Sequence, residues 1–151
     1  VKLFLANVSP VRQRSKFAAA ETIAVEFTAR AAQYAPCTTQ VHDSEGALLT
    51  WLERLAARTI PVLVLLDSRG KQLSSEDFAQ YLVRLRDSGV QSIVLAVGPA
   101  NGWSQEARSR ADLILSFGLI TLPHELARAV LAEQVYRALT ILAGHPYHTG
   151  H

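Results

Sequence analysis

The chain has 151 residues, 49% of them hydrophobic, with fifteen Lys and Arg against thirteen Asp and Glu for a formal charge of +2, and one cysteine, Cys37. That length suits a single domain spanning 1–151 with a sizeable core, and the longest apolar runs, such as PVLVLLD at 61–67, are too short to cross a bilayer. So small a charge names no partner by itself, one cysteine closes no intrachain disulfide, and the absence of a basic, apolar leader makes a soluble cytoplasmic protein the expectation.

KLFLANV at 2–8 reads as a strand leading into a basic turn with Arg12, Arg14 and Lys16. A helix is expected from Ser15 to about Ala32, with Phe17, Ile23, Phe27 and Ala31 as its apolar stripe and Glu21, Glu26 and Arg30 on the wetter side. CTTQV at 37–41 is a short strand, followed by a polar turn at 42–46 and a helix through Leu48, Leu52 and Leu55. PVLVLLD is continuously apolar, as a strand covered on both faces must be. SRGK at 68–71 then reads as a turn, and Ser74 or Ser75 as the cap of a helix carrying Phe78, Leu82 and Leu85.

SIVLAVG at 92–98 is a second buried strand, Trp103 to about Ala111 a short helix, and DLILSFG at 112–118 another short strand. The last helix carries Leu126, Val130, Leu131, Val135, Leu139 and Leu142, and Gly144 with Pro146 stops it. Strands alternating with helices give an α/β fold, a mostly parallel sheet flanked by helices. Ligands in such sheets bind beyond the carboxyl ends of the strands, which selects the segments 66–70, 98–102 and 117–124.

GPANG at 98–102 matches neither a Walker loop nor a dinucleotide fingerprint, and by itself it reads as a turn in which Gly102 takes positive φ. In LITLPHE, at 119–125, Pro123 suits a first helical turn and exposed amides there are able to bind an adenine edge, a ribose or a carboxylate, although His124 also reads as a local cap. Glu133 and Arg137 pair at i,i+4. In the terminal HPYH, His145 and His148 lack a third ligand, so no metal is expected; Tyr147 and His148 suit stacking, hydrogen bonding or proton handling.

Taken together, LDSRGKQLSSEDFA, VLAVGPANGWS, SFGLITLPHELARAVLAEQVYRALTI and HPYH resemble the small bacterial methyltransferases of the SPOUT superfamily that modify N3 of a pseudouridine in 23S ribosomal RNA. The resemblance spans nearly the whole chain and is strongest from Leu66 onward. It implies a C-terminal trefoil (α/β) knot, an S-adenosylmethionine cofactor, a homodimer whose active site uses both chains, and an assembled large subunit or ribosome as substrate. Carried over residue by residue, it places the cofactor at Leu66, Gly98, Gly102, Leu119, Thr121, Leu122 and His124. It sets Arg137, Tyr147 and His148 around the acceptor base, with His148 as proton acceptor or relay. RNA falls to Arg12, Arg14, Lys16 and Arg30.

Three positions depart from the family pattern. Pro99 stands where a second glycine is usual, Phe27 replaces a tyrosine, and Thr149 follows PYH in place of a basic residue. Two other readings stay open at this point: a noncatalytic ribosome-binding protein that kept the knot, and a small-molecule nucleotide enzyme on an ordinary α/β sheet.

Overall fold

The computed structural model describes residues 1–10 and 18–149. The expected RNA contacts Arg12, Arg14 and Lys16, and Phe17 of the expected helix stripe, lie outside the described residues. Five strands, β1 (Lys2–Val8), β2 (Cys37–His42), β3 (Val62–Gln72), β4 (Ser92–Val97) and β5 (Leu113–Ser116), form one sheet in the order β2-β1-β4-β3-β5, with every pairing parallel. The helices are α1 (Ala18–Ala31), α2 (Glu45–Ala56), α3 (Ser75–Asp87), α4 (Gln105–Arg110) and α5 (His124–Leu142), followed by a single 3-10 turn at Pro146–His148.

Strand side chains alternate between two faces, and both are dry. Leu3, Leu5, Val64, Ile93 and Leu95 meet α1, α3 and α5, whereas Phe4, Ala6, Leu63, Leu65, Val94 and Ala96 meet α2 and α4. Burying each large aliphatic chain contributes roughly 1.5–3 kcal/mol. Ser44 and Ser74 cap α2 and α3 by accepting from the amides of Ala47 and Asp77. Cys37 is buried, and that burial pushes its thiol up to about 12.

The structure corrects four expectations. α1 buries Ala20, Ala24, Thr28 and Ala31; of the expected stripe Ala31 is buried and Phe27 packs against the core, but Ile23 is 41% exposed. Small residues win there because they let α1 lie closely along α5. Leu126 likewise stays outside, at 43% exposure, so the apolar coverage of α5 falls on Leu131, Val135 and Leu139. Pro123 sits at the N-cap of α5 and His124 begins the helix.

The largest difference is at SRGK, which continues β3 instead of turning. β3 pairs with β5 at Val64, Leu65 and Leu66, shifts register, and pairs again at Lys71 and Gln72. Gly70 permits that return, since a Cβ at this position would lie 2.5 Å from the Ile114 carbonyl oxygen. Gly70→Ala is therefore expected to lower stability by about 1–3 kcal/mol, the usual range for overpacking, in urea denaturation followed by circular dichroism.

Candidate functional site

The register shift of β3 after Leu66 and the carboxyl ends of β4 and β5 frame a cleft of about 260 Å³. Leu66 to Arg69 form one wall, Val97 to Ala100 with Gly102 and Trp103 a second, and Phe117, Gly118 and Ile120 to Leu122 a third, with His124 and Ala127 of α5 closing the base. Of the expected cofactor residues, Leu66, Gly98, Gly102, Thr121, Leu122 and His124 line this cleft. Leu119 does not: it is 85% exposed and absent from the lining, because the chain between Gly118 and Thr121 turns it to solvent.

Local bonds hold the three walls. Pro99 opens a turn closed by the Gly102 amide on the Pro99 carbonyl at 2.9 Å, and Gly102 takes φ 86° there. The second glycine of the family pattern is thus replaced by a residue whose fixed φ suits the start of a turn. The Ser116 hydroxyl donates to the carbonyls of Ser68 and Gly118, tying the β5 loop to the β3 extension. His124 reaches across to Gly98, its Nδ1 being 2.6 Å from the carbonyl oxygen. A carbonyl only accepts, so Nδ1 carries the proton.

Charge in the cleft is largely internally balanced. Burial pushes the Asp67 carboxyl up, but its bonds to Arg69 and the charges of Arg69 and Arg108 outweigh this and hold it below its ordinary value. Beneath the first turn of α5, buried Arg128 pairs with Glu21 of α1 and lies 3.6 Å from Glu125 Oε2. The sequence assigns Asp67 and Trp103 no individual role at the cleft; a tryptophan directly after a glycine turn is the one signal that could have found either. Among the described residues, the amides of Leu119 to Leu122 donate to no backbone carbonyl. Apolar walls beside open amides fit a flat ring with a hydrogen-bonding edge.

The other expected site residues gather elsewhere. Glu133 Oε1 accepts from Arg137 Nε at 2.9 Å, from Arg137 Nη2 at 2.7 Å and from the Tyr147 hydroxyl at 2.9 Å. Arg137 Nη1 donates to His148 Nδ1 at 2.9 Å, and His148 Nε2 lies 2.6 Å from Glu76 Oε1. Since arginine has no acceptor, His148 Nδ1 holds its lone pair toward Arg137 and Nε2 carries the proton toward Glu76. The hydrogen bond from His148 holds the Glu76 carboxyl below its ordinary value.

Aromatic contacts widen this cluster. Tyr147 meets Tyr136 edge-on at 4.7 Å, and the Arg30 guanidinium lies 5.1 Å from the Phe27 ring and 6.0 Å from that of Tyr136. Phe27 thus acts through its π face, a contact that needs no phenolic hydroxyl. Arg30 and the trio Arg137, Tyr147 and His148 consequently share one surface. Arg137 is thirteen residues beyond His124 on one helix, which separates that surface from the cleft by about 20 Å.

Burial, then the hydrogen bond and charge of Glu133, push the Tyr147 phenol above its ordinary value of 10.0, so it stays protonated and donating at neutral pH. Glu133→Gln removes the negative acceptor and is expected to bring that ionisation down. The check is the phenolate absorbance of each protein minus that of its Tyr147→Phe counterpart across an alkaline titration.

A family model described as a predicted SPOUT methyltransferase matches residues 9–148. The Ribosomal RNA large subunit methyltransferase H of Koribacter versatilis is 49% identical over 138 residues, 91% of this chain and 94% of its own length. That of Mesorhizobium japonicum is 54% identical over 97 residues, 63% of this chain and 61% of its own. Among solved structures, the SpoU methyltransferase AviRb from Streptomyces viridochromogenes in complex with AdoMet superposes with a TM-score of 0.52, covering 94% of this chain and 60% of that one at 18% identity. The last likeness concerns the fold, an α/β parallel sheet flanked by helices.

Proposed function

This chain belongs to the SPOUT methyltransferase family, with the Ribosomal RNA large subunit methyltransferase H of Koribacter versatilis as a near full-length relative, and from that membership we propose that it methylates N3 of a pseudouridine in 23S ribosomal RNA. It is an S-adenosylmethionine-dependent ribosomal RNA methyltransferase. The observation that carries the finer reading is a cleft formed by three strand-end loops in a chain 49% identical to such a relative over nearly its whole length.

In this reading residues 1–151 form one domain, working in the cytoplasm on the assembled large subunit or ribosome. Leu66, Gly98, Gly102, Thr121, Leu122 and His124 hold the cofactor, with Leu119 at the exposed rim. When bound, S-adenosylmethionine supplies an electrophilic methyl carbon. The apolar walls enclose its ring, and the open amides at 119–122 read its edge, giving affinity with few charged side chains.

Arg137, Tyr147 and His148 receive the base. Arg137 offers a fixed cation that steadies negative charge developing on the imide as N3 loses its proton. Tyr147, held as a phenol by Glu133, donates a hydrogen bond. His148 relays the proton: its Nδ1 becomes a base when Arg137 turns from it toward the substrate. Arg30, together with Arg12, Arg14 and Lys16, meets the phosphates around a base turned out of its stack.

The reading also calls for a homodimer, because a rigid helix holds the base-binding cluster about 20 Å from the cleft of the same chain. A second copy laid with its tail over the cleft closes the gap. Exposed Leu119, Ile120 and Leu126, at 85%, 80% and 43%, supply apolar surface beside the cleft for such a contact.

Purified protein is expected to transfer labelled methyl groups from S-adenosylmethionine to ribosomes containing the pseudouridine and not to ribosomes lacking it. Label on neither substrate, with ribosome binding retained, selects a noncatalytic binder. Arg137→Ala is expected to lower turnover about 100-fold or more while leaving the melting temperature within a few degrees, and removal of residues from Tyr147 onward to do the same.

Complementation tests the shared site. A Leu122→Arg protein and an Arg137→Ala protein, each inactive alone, are expected to recover about a quarter of wild-type activity after subunit exchange, since half the pairs are mixed and each mixed pair has one intact site. No recovery despite exchange overturns the two-chain site.

A further inference from the structure

The cleft's second wall has a support that lies outside every residue assigned so far. Trp103, only 6% exposed, puts its indole directly on the backbone of Gly98: a Cβ there would fall 2.6 Å from Cε2 and 2.8 Å from Nε1 of the ring. The same ring donates from Nε1 to the Leu66 carbonyl at 3.0 Å. One side chain therefore fixes the ends of β3 and β4 at a set separation, and those ends are two of the three walls.

Trp103 is itself tied from behind. The next residue, Ser104, donates its amide to Glu45 Oε1 at 2.8 Å and its hydroxyl to Glu45 Oε2 at 2.5 Å. Its hydroxyl oxygen also accepts from the Ala107 amide, capping α4. Glu45 stands at the first turn of α2, an element that contributes nothing to the cleft lining. A carboxylate accepting two hydrogen bonds from one residue is stronger than a neutral pair, so the turn 99–102 is anchored to the helix layer on the far side of the sheet.

We propose that Trp103 and Glu45 are positioning residues for the cofactor: together they hold the Gly98–Gly102 wall at the distance from Leu66 that the adenosine part requires. The proposal rests on the methyltransferase reading above and adds to it the parts that preorganise binding. Neither residue meets the acceptor base, so their loss weakens cofactor affinity and leaves the transfer step at saturation largely intact. Trp103→Phe keeps an aromatic ring beside Gly98, removes the bond to Leu66 and leaves the space of the missing fused ring. Glu45→Ala removes both bonds to Ser104 from a position outside the core.

The test is calorimetric titration of the full chain with S-adenosylmethionine, alongside kcat and cofactor KM on ribosomes and a melting curve for each protein. Glu45→Ala and Trp103→Phe are expected to raise Kd and KM about tenfold, a difference of about 1.4 kcal/mol, with kcat falling less than twofold. Gly98→Ala is expected to weaken binding at least tenfold in the wild type and by less than threefold once Trp103→Ala has removed the ring it strikes. A folded Glu45→Ala or Trp103→Phe protein with wild-type Kd overturns the proposal while the methyltransferase reading stands. A wild-type protein that takes up no S-adenosylmethionine overturns both.

Discussion

A nineteen-residue helix cannot fold back on itself, and α5 imposes that constraint on everything around it. Its first turn closes the cleft through His124 and Ala127, its middle fills the core through Leu131, Val135 and Leu139, and its last turns carry Arg137. In the proposed reading, the methyl-donor cleft and the acceptor cluster are built on the same rod and held apart by it. On that reading the two ends meet through association of two copies, since a straight helix keeps its own ends about 20 Å apart. The close fit of α1 along it, through Ala20, Ala24 and Ala31, adds to the stiffness.

Much of this was legible in the sequence, and the physical reasons are specific. The strands announced themselves because a parallel sheet with both faces covered needs unbroken apolar runs, and LFLA, VLVLL and IVLAV are such runs. The cleft followed from where parallel strands point. Hidden from that logic were features fixed by contact at close range. SRGK carries every local sign of a turn, yet Gly70 is there for its lack of a side chain opposite Ile114, not for a bend. Helix α1 hid its packing face because alanine scores weakly in any hydrophobic pattern, while Ile23 and Val25 score strongly and lie at the surface.

The site shows a parallel division. Gly98 follows β4, Thr121 lies in the loop from β5 to α5 and His124 starts α5, positions that suggest a ligand by themselves. Trp103, Asp67 and Glu133 act by holding other groups, and no spacing in the chain reveals which partner a tryptophan or carboxylate will find across the fold. Glu133 looked like half of an ordinary i,i+4 pair with Arg137; it also accepts the Tyr147 hydroxyl, which makes it the hub of the tail cluster. Resemblance proposes Arg137, Tyr147 and His148 as the reactive side chains, and the structure shows the groups that hold them.

The buried thiol of Cys37 carries a practical corollary. Reagents that modify cysteine need an accessible thiolate, and this chain's sole sulfhydryl is sealed beneath β2 with its ionisation pushed far into alkali. Cys37 is therefore expected to react slowly with maleimides while the chain is folded. A spin label or dye attached through a newly introduced surface cysteine would report from one known place per subunit, so spectroscopic rulers could map the mutual arrangement of two copies without first stripping the natural sequence.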